Sequence, residues 1–204
     1  MPRAPRSARA RPRRPPADLR ALLRRCHERL YGRGVAHAEE DLTMDMVRLL
    51  LAKTLDEEEA AARPAFACTP AEAATEAGRA AVAARVAALF DRVRRRHAGV
   101  FGADERITVG PRAVVDVVLE LQHHRLRGEA DLLGEAYEEY TATHLKRQRG
   151  QFFTNRLVVD LVTGILDPAP GALVLDPAGG SGGFLTGAVR HARRAGRAGP
   201  GGLV

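Results

Sequence analysis

Ala172-Leu173-Val174-Leu175-Asp176-Pro177-Ala178-Gly179-Gly180-Ser181-Gly182-Gly183-Phe184-Leu185 is the stretch on which the reading of this chain turns. Its four leading apolar residues predict a short buried strand. An acidic residue and a loop with glycine at four of five positions come next, then a helix-compatible segment from Phe184 to Ala192. Strand, tight glycine turn and helix start form the unit with which a parallel α/β sheet cradles a nucleotide. Glycine suits the loop because a Cβ would hold ligand and backbone apart and would resist positive φ. Asp176, at the strand's carboxyl end, is placed to meet a hydroxyl or cationic group of the ligand.

The spacing narrows the ligand. A dinucleotide fingerprint counted from Gly180 would put its third glycine at Leu185, and no Gly-Lys-Ser/Thr marks a phosphate loop. Asp176-Pro177-Ala178-x-Gly180-Ser181-Gly182-Gly183-Phe184-Leu185 instead resembles the S-adenosylmethionine loop of adenine-N6 DNA methyltransferases, above all the modification subunits of type I restriction systems. A second segment, Gly150-Gln151-Phe152-Phe153-Thr154-Asn155, resembles the Gly-Gln-Phe-Tyr-Thr-Pro element that precedes the cofactor strand in that family. Phe152 and Phe153 also suit a plain apolar core. The resemblance implies that Phe153 and Thr154 line the pocket, the ring offering a cation–π contact to a sulfonium centre and the hydroxyl a hydrogen bond. Asn155 stands where the family has Pro, and its side chain suits the N-cap of a helix starting at Arg156, with Val158, Val159, Leu161, Val162 and Ile165 as its apolar positions. Upstream, Leu133-Gly134-Glu135-Ala136-Tyr137-Glu138-Glu139-Tyr140 resembles the helix that opens the family's catalytic domain.

The resemblance implies an α/β protein in three parts. A disordered Arg/Pro-rich tail spans 1–16, a helical N-terminal domain 17–127, and the first part of an adenine-specific DNA methylase domain 128–204, where a Rossmann-like sheet begins. It implies S-adenosylmethionine as cofactor, held by Phe153, Thr154, Asp176, Pro177, Gly179, Gly180, Ser181, Gly182 and Phe184. It implies double-stranded DNA as substrate in a restriction–modification or phage-defence system, with specificity and restriction subunits as partners. No residue is assigned to methyl transfer. The family's Asn/Asp-Pro-Pro-Tyr/Phe loop, which holds the flipped adenine, does not occur. Asp167-Pro168-Ala169-Pro170 lacks the aromatic residue, precedes the glycine loop and reads as a helix-to-strand turn. The expectation is a truncated or split enzyme whose remaining catalytic part comes from a second chain. Two alternatives stay open: a non-catalytic helical interaction or DNA-binding module with a vestigial cofactor segment, or a related protein or RNA methyltransferase.

Composition adds bounds. With 45% hydrophobic and 28% charged residues, 4% aromatics and no Trp, a core of Ala, Leu and Val is expected. No run approaches the ~20 apolar residues of a membrane helix. Cys26 and Cys68 have no metal-ligand spacing around them, and buried free thiols in a reduced, cytoplasmic setting are the expectation. The net charge is +7, yet residues 1–14 hold six arginines and no acid, so the remainder is close to neutral. That tail reads as passive or as a phosphate-contacting arm.

From Ala17 to Arg127 the periodicity is helical. Leu19, Leu22, Leu23 and Leu30 suit one helix; Leu42, Met46, Leu49 and Leu50 mark another over 39–59. An Ala-rich helix from Thr69 or Pro70 to about His97 buries Val82, Val86, Leu89, Phe90 and Val93. Gly110-Pro111 opens a further helix with Val114, Val115, Val118, Leu119 and Leu121 apolar. Arg92, Arg94, Arg95, Arg96 and His97 read as helix-dipole partners or DNA contacts, His123 and His124 as surface residues. Lys146, Arg147 and Arg149 read as a solvated linker or a phosphate contact.

Overall fold

The computed structural model describes residues 13–31, 39–59, 64–128, 132–141, 154–180, 182–197 and 199–203. The tail before Arg13, the Lys146–Arg149 cluster, Gly150 to Phe153 and Ser181 lie outside the described residues. The chain divides into two compact units, Met1–Tyr140 and Thr141–Val204.

The first unit is helical: α1 Leu19–Tyr31, α2 Glu39–Glu58, α3 Pro70–Ala74, α4 Glu76–Arg96, α5 Pro111–Leu121 and α6 Leu132–Thr141. One continuous core joins them, and the apolar positions that the periodicity marks on α1, α2 and α4 fill it, Leu19 only in part, while Leu42 is buried outside it. Phe90 meets the edge of Phe101 at 5.5 Å. On α5, Val114, Val115, Val118 and Leu121 are buried as marked, Val117 is buried as well, and only Leu119 departs, at 39% exposed. Cys26 and Cys68 are free and buried, and burial pushes the Cys26 thiol up to about 12.

Three expectations for this unit change. The single helix from Pro70 to His97 is two helices, because Thr75 is extended (φ −114°, ψ 152°) and its hydroxyl accepts from Gly78 N to cap α4. Ahead of it, Thr69 and Glu72 form a reciprocal capping box on the five-residue α3. Within the tail expected over 1–16, Arg13 and Arg14 are docked on the helical unit: Arg13 Nη2 donates to Asp56 Oδ2 at 3.1 Å, and Arg14 O accepts from Arg125 N at 2.8 Å. Finally, α6, expected to open a separate domain at 128, packs with the helical unit. Leu132 and Ala136 enter its core, and Glu139 accepts from Arg24 Nε at 3.0 Å.

Two fully buried charged side chains in this unit have close partners of opposite charge. Asp45, fully buried, accepts from Thr108 N, Thr108 Oγ1 and Val109 N through one oxygen and from Arg48 through the other. It thereby ties α2 to the segment entering α5. Lys53, also fully buried, lies 2.9 Å from Glu57 and 5.6 Å from the centre of the Phe66 ring. Burial lowers its pKa, against the opposing pull of Glu57.

The second unit contains α7 Arg156–Leu166, β1 Leu173–Val174, α8 Gly183–Arg194 and β2 Gly202–Leu203. Asn155 Oδ1 accepts from Leu157 N at 2.9 Å, capping α7 as its sequence suggests. Asp167 ends α7 in the left-handed region (φ 37°), and Ala172 N donates to Ala169 O, making 167–170 the helix-to-strand turn. β1 and β2 pair in parallel, Leu173 with Gly202 and Val174 with Leu203. The buried strand expected before Asp176 is thus only two residues long. Leu173 and Leu175 are 72% and 64% exposed, because one short neighbour covers neither their face nor the far edge of β1.

α7 and α8 hold this unit together. Val159 and Thr163 are buried against Gly187, where a Cβ would stand 2.5 Å from Val159 Cγ1, so only glycine permits this approach of the two helices. Asp160 accepts from Arg190 and Arg194, and Asp167 from His191 and Arg197. Leu157, Leu161 and Ile165, one stripe at i, i+4 and i+8, remain 78%, 62% and 74% exposed. Over the described residues the protein is thus mostly helical, and no helix is long and apolar enough to cross a membrane.

Candidate functional site

The loop from Asp176 to Gly183 links β1 to α8. Asp176 Oδ1 accepts from Ala178 N at 3.1 Å, turning the chain immediately after the strand, and Gly182 N donates to Gly179 O at 2.6 Å to close the loop. Gly180 (φ 50°) and Gly182 (φ 77°) are left-handed, the conformation for which the sequence supplies glycine. Gly182 is the N-cap of α8 and offers no side-chain acceptor, so the first N–H groups of the helix stay open to an external acceptor. Thr186 Oγ1 donates back to Gly182 O and Gly183 O, fastening the first turn. This Thr is a positioning residue that the glycine pattern does not reveal, and its signal is a hydroxyl four residues beyond the cap.

Two features suit a ligand at this place. A Cβ at Gly182 or Gly183 would meet nothing within 4 Å, so the space beside the helix start is open. Asp176 Oδ2 is buried without a hydrogen-bond partner among the described residues, a carboxylate oxygen placed to meet an incoming donor. Gly179 and Phe184 are half-buried, and Pro177 and Gly180 are exposed. The structure thus gathers Asp176, Pro177, Gly179, Gly180, Gly182 and Phe184 in one turn. Thr154 is exposed just ahead of the α7 cap and makes no hydrogen bond to that turn among the described residues; Phe153 and Ser181 lie outside them.

Comparison with known families converges on the same region. Residues 128–199 match the model of the N-6 DNA methylase family. The methylase match takes in α6, α7, β1, the glycine loop and α8. This stretch therefore carries a DNA methyltransferase signature, with DNA as the substrate of the family. Among curated proteins no match to the chain is found.

The remaining basic groups are mostly paired. Arg92 and Arg96 reach Glu59 and Glu58, and Arg94 reaches Asp91 and the Ala103 carbonyl, so the α4 end binds neighbouring acids as well as completing the helix dipole. His123 is exposed and His124 half-buried.

Proposed function

We propose that this chain carries the cofactor-binding front of an S-adenosylmethionine-dependent adenine-N6 DNA methyltransferase of the type I modification-subunit kind, acting in restriction–modification or phage defence. The observation that carries this reading is the turn after β1: two left-handed glycines, an open helix start and a buried carboxylate oxygen without a partner among the described residues. Asp176 would accept from the cofactor's polar groups, while the backbone at Gly179–Gly182 would allow its close approach; Phe153 and Thr154 would flank the methionine end. The β1–loop–α8–β2 order, with parallel strands, supports a Rossmann-like beginning. Bound there, the cofactor supplies an activated methyl group; this chain's residues orient it and exclude water on one side.

The loop that would hold a flipped adenine is not among these 204 residues, so we assign it to further polypeptide, in cis or on a second chain. Methyl transfer then needs both parts, with double-stranded DNA and, by family, specificity and restriction subunits as partners in the cytoplasm. Isothermal titration with S-adenosylmethionine tests the reading. Binding is expected to be weak for the chain alone, tighter once the complementary catalytic part is supplied, and at least tenfold weaker again for Asp176→Ala. Equal affinity of wild type and variant in the completed enzyme would overturn it.

A further inference from the structure

A cavity of about 460 Å³ lies in the helical unit, far along the chain from the glycine loop, between the end of α2 and the segment leaving α5. Arg13, Asp56, Glu57, Arg125, Arg127 and Gly128 contribute to its wall. Three guanidinium groups facing two carboxylates would ordinarily suggest internal ion pairing. The pairing is unequal.

Both acids are already satisfied. Asp56 accepts from Arg13 at 3.1 Å and from Ala65 N at 2.7 Å. Glu57 lies 2.9 Å from the buried Lys53 ammonium and accepts from Leu126 N and from Arg127 N, the latter at 2.7 Å. Arg125 and Arg127 have no carboxylate partner among the described residues. Their placement is also fixed. The chain is extended where Arg14 and His124 form a parallel bridge, and successive side chains in an extended segment point to opposite sides. Leu126, 1% exposed, plugs the core, while Arg125 and Arg127 on either side of it are exposed. Glu57 holds the backbone of 126 and 127, so two guanidinium forks with no carboxylate partner among the described residues stand on a pinned segment instead of a free loop.

We propose that this cleft is a phosphate-binding site in which Arg125 and Arg127 take the oxyanion and the Asp56–Arg13 and Glu57–Lys53 pairs hold the wall. Planar guanidinium forks match phosphate oxygens two at a time, and the cavity has room for a phosphate with its ester substituents. The site does not rest on the cofactor reading: it lies in the other unit, and failure of S-adenosylmethionine to bind would leave it untouched.

The test uses the full chain with two probes, a short fluorescent DNA duplex titrated at several salt concentrations and inorganic phosphate followed by calorimetry. The variant is Arg125→Ala/Arg127→Ala; the control, Arg95→Ala/Arg193→Ala, removes the same charge elsewhere. If the phosphate comes from a polynucleotide, the cleft variant should bind duplex about tenfold more weakly at low salt, with its salt slope reduced by about 2, and the control should lose far less. If the source is a small free phosphate, inorganic phosphate should bind the wild type and the control but not the cleft variant. Equal losses in variant and control for duplex, together with no arginine-dependent phosphate binding, would overturn the proposal. Unchanged circular dichroism is expected for both exposed double substitutions and keeps the comparison free of folding effects.

Discussion

The two units solve the burial problem differently. In Met1–Tyr140, the six helices among the described residues share one core, and even the fully buried Asp45 and Lys53 have partners. In Thr141–Val204, the two helices among the described residues meet at Gly187 and through the Asp160 and Asp167 ion pairs, two strands of two residues pair, and Leu157, Leu161, Ile165, Leu173 and Leu175 face solvent. A self-contained packing layer contrasts with a layer whose apolar surface is only half used. Stability follows burial: the helical unit draws its folding energy from one shared core, whereas the glycine-loop unit keeps a turn of left-handed glycines and leaves apolar faces exposed.

Five substitutions test this contrast, in falling order of effect. Phe90→Ala empties a site 1% exposed in the shared core and is expected to cost about 3–5 kcal/mol. Chemical denaturation should show that loss in the helical unit's transition; a cost below about 1 kcal/mol would mean that the core is not continuous. Asp45→Ala leaves two backbone donors and the Thr108 hydroxyl unpaired and is expected to cost about 3 kcal/mol, read as faster amide exchange at Thr108 and Val109.

Gly187→Ala forces a methyl group against Val159 and should destabilise the α7–α8 contact by about 1–3 kcal/mol. Hydrogen exchange over 156–166 should accelerate while that over 76–96 stays unchanged. Acceleration in both stretches would show that the units are cooperatively coupled. The smallest effect is electrostatic. The Thr69 backbone N–H, then Arg85 and the Thr69 hydroxyl, hold the Glu72 carboxyl at about 2. In the second unit Arg197, then His191, hold Asp167 at about 2. Because both folded values lie below the usual carboxylate range, the stabilisation is complete above about pH 4.5 and is lost as pH falls toward 2. Glu72→Gln should flatten the acid limb for the helical unit, and Asp167→Asn that for the loop unit, each slightly because solvent screens these exposed pairs.

The helical unit was largely legible in sequence because 3.6-residue periodicity reports burial directly: Met46, Leu49 and Leu50 of α2 and the marked stripe of α4 enter the core. What the pattern missed was local. Thr75 sits in an alanine-rich run that reads as continuous helix, and only its backbone angles and cap to Gly78 break it. Arg13 and Arg14 look like tail by composition, but their docking depends on Asp56 and Arg125, distant in sequence. The loop was legible for the opposite reason. Gly180 and Gly182 declare a conformation, not a burial pattern, and a conformation of this kind is written residue by residue. Strand burial was not, since four apolar residues in a row imply neighbours on both faces without saying which part of the chain supplies them.

The most direct measurement is hydrogen exchange across the chain with and without S-adenosylmethionine, the complementary catalytic part being present. The account predicts slowed exchange confined to the amides from Ala178 to Thr186, with the helical unit unaffected. Unchanged exchange in that turn at saturating cofactor, or protection appearing only between α1 and α5, would contradict it.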